Sequence, residues 1–339
     1  MKKLKSILLL TAGIFLLNGC GKPETSVQSE TADLFAMDTY MHLQVYSVNG
    51  QKPIAQASER IQQLENLFSV TIPESDISHI NTNQPVAVSK ETIEVLQEAL
   101  QVNQESQGAL TVTIYPVLHE WGFTTEKMHV PDEKTIQTLL PLADDSVIQI
   151  NDNTVFLPEN RKLDLGALAK GYTSDEVMKI FKENGAESGI ISLGGNVQAL
   201  GRKPDGSLWS VGVVNPFSPS ENMCVLKIED AAVITSGNYE RYFTDDDGQM
   251  YWHILDPADG YPADNGFVSV TVIGKSGLRC DALSTALFVE GEEKAPAHWR
   301  ACNDFEMLCV TDDQRILLTE GLQENFQNLT AMPVEILTK

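Results

Sequence analysis

The sequence predicts an α+β fold, with helices packed on mixed or antiparallel sheets. Helix-like and strand-like patterns alternate irregularly along the 339 residues instead of repeating in βαβ order. Many of the short strands are separated only by turn residues, which is typical of hairpins. Hydrophobic residues make up 42% of the chain, so it can bury a large core without disulfides.

The N-terminal half is predicted to hold one strand and two amphipathic helices. The strand covers residues 39–46 and ends at Asn49-Gly50, which suggests either a hairpin or a tight exit into a helix. A helix is predicted within residues 55–68, and Ser89 can cap the N-terminus of the next one. The apolar face of the first helix is formed by Ile61, Leu64, Leu67 and Phe68.

The C-terminal half is predicted to contain two further helices among many strands. One helix covers about 167–184 and stops at Gly185, and another begins after Ser276 and ends at Gly291. The predicted strands are 188–193, 208–214, 225–229, 232–235, 250–255 and 267–273, with a closing hairpin at 305–310 and 315–319. The run 245–248 (DDDG) is predicted to be a solvated hairpin turn, because its Gly comes too early for a calcium-binding loop.

The first twenty residues are predicted to be an export signal. Three lysines precede an apolar run at 7–17, which is too short to span a bilayer stably. The run leads into Leu17-Asn18-Gly19-Cys20, which resembles a bacterial lipobox; an ordinary secretory signal with an incidental Cys is the alternative. We therefore predict a signal peptide at 1–19, lipidation at Cys20, a polar tether at 20–33 and one folded domain at 34–339. Such a protein would be anchored to the extracytoplasmic face of the cell membrane.

The charge of the chain limits the classes of ligand. With 24 basic and 47 acidic residues the formal net charge is −23, and removal of residues 1–19 would make it −26. Nonspecific nucleic-acid binding is excluded, because it depends on lysines and arginines that neutralise phosphates. Electrostatic docking on an anionic membrane is disfavoured for the same reason. A phosphate-bearing ligand would also be repelled, unless a bound cation compensates.

Several common functional motifs are missing from the sequence. There is no GxGxxG, P-loop, GxSxG or HExxH motif. The four cysteines that follow the signal form no CxxC and no Cys/His cluster with zinc spacing, so we expect free thiols or at most one disulfide.

Two glycine-containing segments are candidate ligand sites. The segment 164–172 (DLGALAKGY) opens a helix, where free N–H groups favour an anion and Lys170 adds a positive charge. The segment 192–196 (SLGGN) leaves a strand through a Gly-Gly pair that permits close backbone contact. A tightly packed helix start and a simple turn are the respective alternatives.

The segments 235–243 and 252–262 contain candidate catalytic side chains. Arg241 offers a fork for phosphate or carboxylate. His253 lies near Asp256 at a strand end, and its ordinary pKa near neutrality suits a general base. A purely structural histidine is the alternative.

The segment 280–287 (CDALSTAL) is a candidate metal site. On a helix, Asp281, Ser284 and Thr285 fall at i, i+3 and i+4, so three oxygen ligands share one side. A carboxylate among Ala and Leu is unfavourable to bury unless it is paired or metal-bound. Oxygen ligands with few charges suit Mg²⁺, which takes the rest of its shell from water and substrate phosphates. A helix-packing role for Asp281 is the alternative.

Five segments in this order (DLGALAKGY, SLGGN, TSGNYERYF, HILDPADGYP and DALSTALFV) resemble the ApbE family over about residues 34–320. These proteins are FAD:protein FMN transferases, often lipoproteins, with a T-fold-like α+β architecture. The resemblance implies transfer of FMN from FAD to a Ser or Thr hydroxyl of a target protein, with release of AMP. It also implies Mg²⁺ as cofactor, FAD as substrate, and Rnf- or Nqr-type redox subunits or other exported flavoproteins as acceptors.

The resemblance further implies roles for individual residues. His253 would be the base and Asp281 the second catalytic residue. The metal ligands would be Asp281, Thr285 and the Ala167 carbonyl, with Ser284 nearby or contributing. The FAD site would include Met37, Ala109, Leu110, Thr111, Asp164, Lys170, Ile254 and Leu255. The chain departs from many members at Thr71, Thr111, Asn238 and Ser284.

Three other functions remain open at the level of sequence. The same metal site would serve an FAD pyrophosphatase that releases FMN and AMP. A non-catalytic FAD-binding lipoprotein would not need the Asp/Ser/Thr metal site. A general solute-binding lipoprotein would be expected to show two similar lobes, which the sequence does not.

Overall fold

The computed structural model describes residues 27–125 and 127–339, so the predicted signal peptide and Cys20 lie outside the described residues. The strands are β1 Gln28–Ala36, β2 Thr39–Ser47, β3 Val86–Ala87, β4 Gln149–Asn151, β5 Thr154–Phe156, β6 Ser188–Leu193, β7 Asn196–Leu200, β8 Trp209–Asn215, β9 Ser218–Ile228, β10 Ala232–Gly237, β11 Tyr242–Thr244, β12 Met250–Trp252, β13 Phe267–Gly274, β14 Phe305–Thr311, β15 Ile316–Thr319, β16 Phe326–Asn328 and β17 Val334–Leu337. The α-helices are α1 Lys52–Phe68, α2 Asp76–Ile80, α3 Lys90–Glu105, α4 Tyr115–Glu120, α5 Glu133–Leu139, α6 Ala169–Glu183 and α7 Gly277–Ala301.

A nine-stranded sheet in the order β1-β2-β6-β7-β10-β13-β14-β15-β17 organises the fold. Its neighbouring strands are antiparallel except for the parallel pair β15–β17. A second sheet, β16-β9-β8, is also antiparallel. The prediction of an α+β fold with mixed and antiparallel sheets and packed helices is therefore confirmed.

The central strands of the large sheet are buried on both faces. Because successive side chains of a strand point to opposite sides, each of these strands contributes to two different cores. In β13, Val270 and Val272 join the core beneath the helices, whereas Ile273 joins the core beneath the β16-β9-β8 sheet. In β14, Cys309 and Leu308 divide in the same way. This arrangement makes three layers, and it explains why these strands read as continuous apolar runs.

Helices α6 and α7 pack closely against each other, and their contact positions the site described below. A side chain at Gly171 would collide with the carbonyl of Gly277, so only glycine permits this approach. Asp175 of α6 strengthens the contact, because its carboxylate accepts hydrogen bonds from the backbone N–H groups of Gly277 (2.7 Å) and Leu278 (3.0 Å). These are N–H groups that the first turn of a helix leaves unpaired.

The helix predictions agree with the structure at their capped ends. Ser89 accepts the N–H of Thr92 at the start of α3, and Ser276 accepts that of Arg279 at the start of α7. Gly291, the predicted end of the last helix, has a φ of 69° and kinks α7, which then continues to Ala301. A glycine tolerates this left-handed conformation, so the helical path bends there without steric strain.

One tether prediction and two strand predictions need correction. The predicted tether at 20–33 is wrong for residues 28–33, which form most of β1 and pair with β2. β1 is polar because it is an edge strand with much exposed surface, so its composition resembles that of a linker. The predicted strands 225–229 and 250–255 have shifted bounds: β9 begins at residue 218 and β12 ends at residue 252.

The remaining sequence predictions for loops and thiols are confirmed. The DDDG run joins β11 to β12, and the Asp245 carboxylate accepts the N–H groups of Asp247 and Gln249 within the turn. Cys224, Cys280, Cys302 and Cys309 are free thiols. Within the described part of the chain, no helix is long and apolar enough to cross a membrane.

A buried carboxylate anchors the loop that follows α3. Asp145 accepts the backbone N–H groups of Val112 and Thr113, each at 2.9 Å, and the Thr113 hydroxyl at 2.6 Å. We expect Asp145→Asn to lower the free energy of unfolding by about 2 to 4 kcal/mol, because the amide nitrogen cannot accept and a buried N–H loses its partner. Urea unfolding would measure the loss. The exposed Asp246→Asn variant is the control, and equal midpoints for both variants would contradict the prediction.

Candidate active site

A cavity of about 860 Å³ lies where two tight turns of the large sheet meet. One turn joins β1 to β2 through Met37 and Asp38, and the other joins β6 to β7 through Gly194 and Gly195. All four residues have positive φ values, between 50° and 97°. A side chain at Gly194 would collide with that of Thr39, so the glycine allows the two turns to lie side by side. The SLGGN segment is thus a tight turn that also lines the cavity.

Met37 is held in a conformation that a non-glycine residue rarely adopts. Its φ is 50°, and its backbone N–H donates to Glu65 Oε1 at 2.7 Å. The neighbouring Asp38 has a φ of 57°. Such conformations concentrate at ligand sites, where the surrounding structure supports them. Met37 therefore presents its side chain at the cavity wall through a backbone fixed from α1.

Asp281 lies at the buried end of the cavity, with 4% of its surface exposed. Its Oδ2 accepts the Gly171 N–H at 2.7 Å, and its Oδ1 accepts Asn196 Nδ2 at 3.0 Å. Burial raises the pKa of this carboxyl, while Lys170 and the two hydrogen bonds act in the opposite direction. Each carboxylate oxygen keeps a free lone pair, because each accepts one hydrogen bond here.

The structure separates the two hydroxyl residues that follow Asp281. Thr285 lines the cavity, as does Ala167. Ser284 is fully buried behind it, where its Oγ donates to the Asp281 carbonyl at 2.8 Å and lies 2.8 Å from Ser236 Oγ. Ser284 itself is absent from the cavity lining, but its partner Ser236 lines the cavity, so Ser284 lies one hydrogen bond behind the predicted metal site.

The residues around Asp281 fit a hard divalent cation. A buried carboxylate, the Thr285 hydroxyl and the Ala167 backbone lie along one cavity, and they offer oxygen atoms only. Mg²⁺ prefers such donors and needs few of them from the protein. The cavity lining carries four carboxylates against two cations, so a further positive charge would be favourable there. The charged residues of the lining are Asp38, Asp164, Glu240, Asp281, Lys170 and Arg241.

The segment that leads into α6 brings a negative charge, Asp164, and a positive charge, Lys170, to the cavity. Asp164 accepts the Gly166 N–H at 2.8 Å and thereby shapes the turn that leads into the helix. Burial raises the pKa of Asp164, and Lys170 and Arg241 oppose the shift. Arg241 donates to the Phe123 carbonyl at 3.3 Å, which orients its guanidinium at the cavity. The two cations are therefore available to an anionic ligand.

His253 faces the same cavity and is held by a backbone contact. Its Nδ1 lies 3.2 Å from the Arg241 carbonyl, which assigns the Nδ1–H tautomer and leaves Nε2 free to accept a proton. Burial, followed by the charges of Arg241 and Lys170, lowers the pKa of this imidazole to about 4. His253 is thus neutral at physiological pH. Asp256, the partner considered from the sequence, instead accepts the Ala258 N–H.

The remaining predicted site residues form walls of this cavity. They are Ala109, Leu110, Thr111, Ile254 and Leu255. Thr111 is buried, and its hydroxyl donates to the Gly108 carbonyl at 2.8 Å, so it shapes its loop. Thr71, one of the departures from the family pattern, is also part of the lining. Apart from Ser284 and the undescribed Cys20, every residue predicted for the site lines one cavity.

Sequence reasoning assigned no role to three residues that the structure brings to this site. Asn196 donates to Asp281, Ser236 lies 3.4 Å from the Thr285 hydroxyl, and Glu240 lines the cavity. Desolvation and then Asp281 raise the pKa of Glu240 to about 7, although Lys170 opposes the shift. The three residues lie within the SLGGN and TSGNYERYF segments, which the sequence already indicates as candidate site segments.

Comparison with known proteins agrees with the architecture of the chain. The model of the ApbE family matches residues 37–309. A FAD:protein FMN transferase of Klebsiella pneumoniae (strain 342) is 36% identical over 276 residues, which is 79% of this chain and 85% of that protein. One from Vibrio cholerae is 30% identical over 321 residues, covering 91% and 95%. The crystal structure of the ApbE protein from Thermotoga maritima superposes with a TM-score of 0.83 at 31% identity, covering 88% of this chain and 99% of that one. The chain belongs to the ApbE family.

Proposed function

We propose that this protein is a FAD:protein FMN transferase that uses Mg²⁺. One observation carries the proposal: a single cavity joins a buried carboxylate, a neutral histidine and apolar walls. The carboxylate is Asp281 and the histidine is His253. Two relatives of similar length that match most of the chain carry the name FAD:protein FMN transferase, which supports the same reaction.

The cavity has the size and chemistry expected for a dinucleotide. Its volume of about 860 Å³ is in the upper part of the usual range for small-molecule pockets, roughly 300 to 1,000 Å³. Apolar residues such as Leu110, Val112 and Ile254 offer contacts to ring systems, and Lys170 and Arg241 offer positive charge to a pyrophosphate. FAD combines both kinds of group.

We infer that Asp281, Thr285 and the Ala167 carbonyl would hold Mg²⁺. When bound, the cation would neutralise charge on the pyrophosphate and on the departing AMP. Asp281 on α7 is positioned for this by hydrogen bonds from Gly171 on α6 and from Asn196 at the start of β7.

The reaction requires one bond to form and one to break. The acceptor hydroxyl oxygen bonds to the phosphorus of the FMN half, and the bond from that phosphorus to the oxygen of AMP breaks. His253 takes the hydroxyl proton at Nε2, while the Arg241 carbonyl holds Nδ1 and keeps the ring in place. Lys170 and Arg241 bind phosphate oxygens, and Met37 and the apolar walls orient the ring systems.

We base the proposed location on the predicted lipobox and the proposed acceptor class on the resemblance to the ApbE family. We propose that Cys20 is lipidated and anchors the enzyme to the extracytoplasmic face of the cell membrane. Rnf- or Nqr-type subunits or other exported flavoproteins would then be within reach as acceptors. Metabolic labelling with a fatty-acid analogue, compared between the wild type and Cys20→Ser, tests the anchor.

One experiment separates the possible activities. The protein is mixed with FAD, Mg²⁺ and a candidate acceptor, AMP is quantified, and a denaturing gel is inspected for flavin fluorescence in the acceptor band. We expect a fluorescent band and one AMP per flavin transferred. AMP without a band would favour the FAD pyrophosphatase, and the absence of both would leave a non-catalytic FAD-binding protein. Omission of Mg²⁺, with a chelator present, should abolish transfer.

Glu240 predicts a pH dependence of FAD binding. Its pKa of about 7 means that the carboxyl gains a negative charge as the pH rises through neutrality. Because the ligand is anionic, we expect the KM for FAD to increase between pH 6 and pH 8, by about 3- to 10-fold for one like charge near the ligand. In Glu240→Gln this increase should vanish. Steady-state kinetics at several pH values would measure it, and an identical increase in the variant would assign the pH effect elsewhere.

A further inference from the structure

A second groove, about 1280 Å³ in volume, runs beside the ends of α3 and α7. It shares Ala109, Thr111 and Pro257 with the active-site cavity but is otherwise lined by different residues. Glu105 lies at the end of α3, and His298 and Cys302 lie one turn apart at the end of α7. One potential ligand atom from each of these three residues lies within 4.8 Å of the other two.

The hydrogen bonding of His298 is that expected of a metal-binding histidine. Its side chain is 6% exposed, and its Nδ1 lies 2.7 Å from Glu290 Oε1. That contact assigns the proton to Nδ1 and leaves the lone pair on Nε2. Among the residues that the structure describes, Nε2 is buried and has no hydrogen-bond partner. A buried nitrogen without a partner is unfavourable, and metal coordination would satisfy it.

The hydrogen bond between Glu290 and His298 is of the kind found around the histidine ligands of zinc sites. Metal-bound histidines usually donate their other ring N–H to a carboxylate, which fixes the tautomer and makes the ligand more basic. Glu290 is itself 6% exposed and precedes the kink at Gly291. The kink folds the chain so that the carboxylate of the first part of α7 reaches the imidazole of the second.

We propose that Glu105, His298 and Cys302 form a zinc site that is separate from the Mg²⁺ site. One thiolate, one imidazole and one carboxylate are the ligands that Zn²⁺ takes, whereas Mg²⁺ prefers oxygen alone. Zn²⁺ would displace the thiol proton of Cys302 to solvent. Three protein ligands leave a fourth position for water, and the groove gives the ion an entry path.

The geometry requires only a small closure. Zinc bonds of about 2.0 to 2.3 Å place tetrahedral ligand atoms roughly 3.4 to 3.8 Å apart, and the three candidate ligand atoms here all lie within 4.8 Å of one another. Glu105 also pairs with Arg279 at 2.7 Å, and Gln101 donates to it at 2.9 Å. Arg279 keeps two other carboxylate partners, Glu98 and Asp304, so Glu105 can turn a lone pair to the ion.

The site would join two elements that reach the active site. α3 leads directly into the segment that contains Ala109 and Thr111, and α7 carries Asp281 and Thr285 at its other end. Zinc would therefore clamp the ends of the two helices and steady one wall of the catalytic cavity.

Metal titration of the full chain, purified in mild detergent with excess Mg²⁺ present, tests the proposal. Zn²⁺ is titrated against a chromophoric zinc indicator, and Co²⁺ is titrated separately as a spectroscopic probe. We expect one Zn²⁺ per chain and a thiolate-to-Co²⁺ charge-transfer band in the near ultraviolet. His298→Gln should weaken Zn²⁺ binding at least tenfold, and Cys302→Ser should abolish the charge-transfer band.

Two controls keep the test specific. The exposed His129→Gln variant should bind Zn²⁺ like the wild type, and so should Asp281→Asn, which alters the other metal site. Circular dichroism checks that each variant is folded, and Glu105→Gln serves as a further ligand variant if one of the first two does not fold. The proposal is overturned if the wild type shows no saturable Zn²⁺ binding, or if His298→Gln and Cys302→Ser bind both metals like the wild type.

Discussion

The Asp281→Asn variant is expected to lose FMN transfer, with kcat/KM for FAD lowered by about 10³-fold or more. Asparagine is close in shape but carries no charge, so the cation that the buried carboxylate would hold is lost. Its amide nitrogen also cannot accept a hydrogen bond, so either the Gly171 N–H or Asn196 loses a partner. AMP release from FAD in the presence of Mg²⁺ and an acceptor measures the effect.

Thr285 provides the matched control for Asp281. Thr285→Ser keeps the hydroxyl that lines the cavity and should retain most of the activity, whereas Thr285→Val removes it at nearly constant volume. Thermal unfolding of each variant separates a lost ligand from a lost fold. Near-normal transfer by a folded Asp281→Asn protein would show that the assignment of the metal site is wrong.

The His253→Gln variant is expected to lower kcat by about 10²- to 10⁴-fold with little change in FAD affinity. Glutamine preserves a polar side chain but cannot take the proton of the acceptor hydroxyl. Single-turnover formation of the flavinylated acceptor and an independent FAD binding titration measure the two effects separately. The exposed His79→Gln variant is the control. A loss that appears only in FAD affinity would assign His253 to binding instead of proton transfer.

The pKa of His253 sets the direction of the pH profile for this prediction. Burial and nearby cations lower the pKa to about 4, so the neutral imidazole persists well below the ordinary value near 6.5. Protonation removes the base, and the rate should therefore decline on the acid side. Because kcat/KM reports the free enzyme, its acid limb from His253 should lie near pH 4 to 5 and should be missing in His253→Gln. A limb near pH 6.5 would contradict the lowered pKa of His253.

The acidic composition and the proposed substrate are reconciled by the site itself. The net charge of −23 disfavours an anionic ligand, and the cavity lining has more carboxylates than cations. A divalent cation at Asp281 would make the site locally positive within an anionic protein. Removal of Mg²⁺ should therefore weaken FAD binding as well as stop transfer, which distinguishes this protein from a cation-independent FAD carrier.

Local signals in the sequence were sufficient for much of the fold and of the site. The caps Ser89 and Ser276 and the break at Gly291 depend on residues a few positions apart, so a single segment carries the information. β1 was missed because a polar edge strand has a linker-like composition, and only its pairing with β2 identifies it as a strand.

The position of Ser284 shows the limit of spacing arguments. Residues at i, i+3 and i+4 share one side of a helix, yet adjacent residues differ by about 100° in direction. Which of Ser284 and Thr285 faces the cavity depends on how α7 is rotated against α6 and β10. That rotation results from close packing at Gly171 and from the hydrogen bond to Ser236, and neither is visible in the helical period.

By itself the sequence determined the fold class, the motif segments and the acidic balance of the chain, because periodicity, capping and charge are local or additive properties. Only the tertiary structure decided which side chains meet. Asp281 reaches Asn196 because α7 packs on the large sheet that contains β7, and Glu105 reaches His298 because α3 and α7 pack together. Such contacts join residues 85 to about 190 positions apart, and they exist only once the layers have packed.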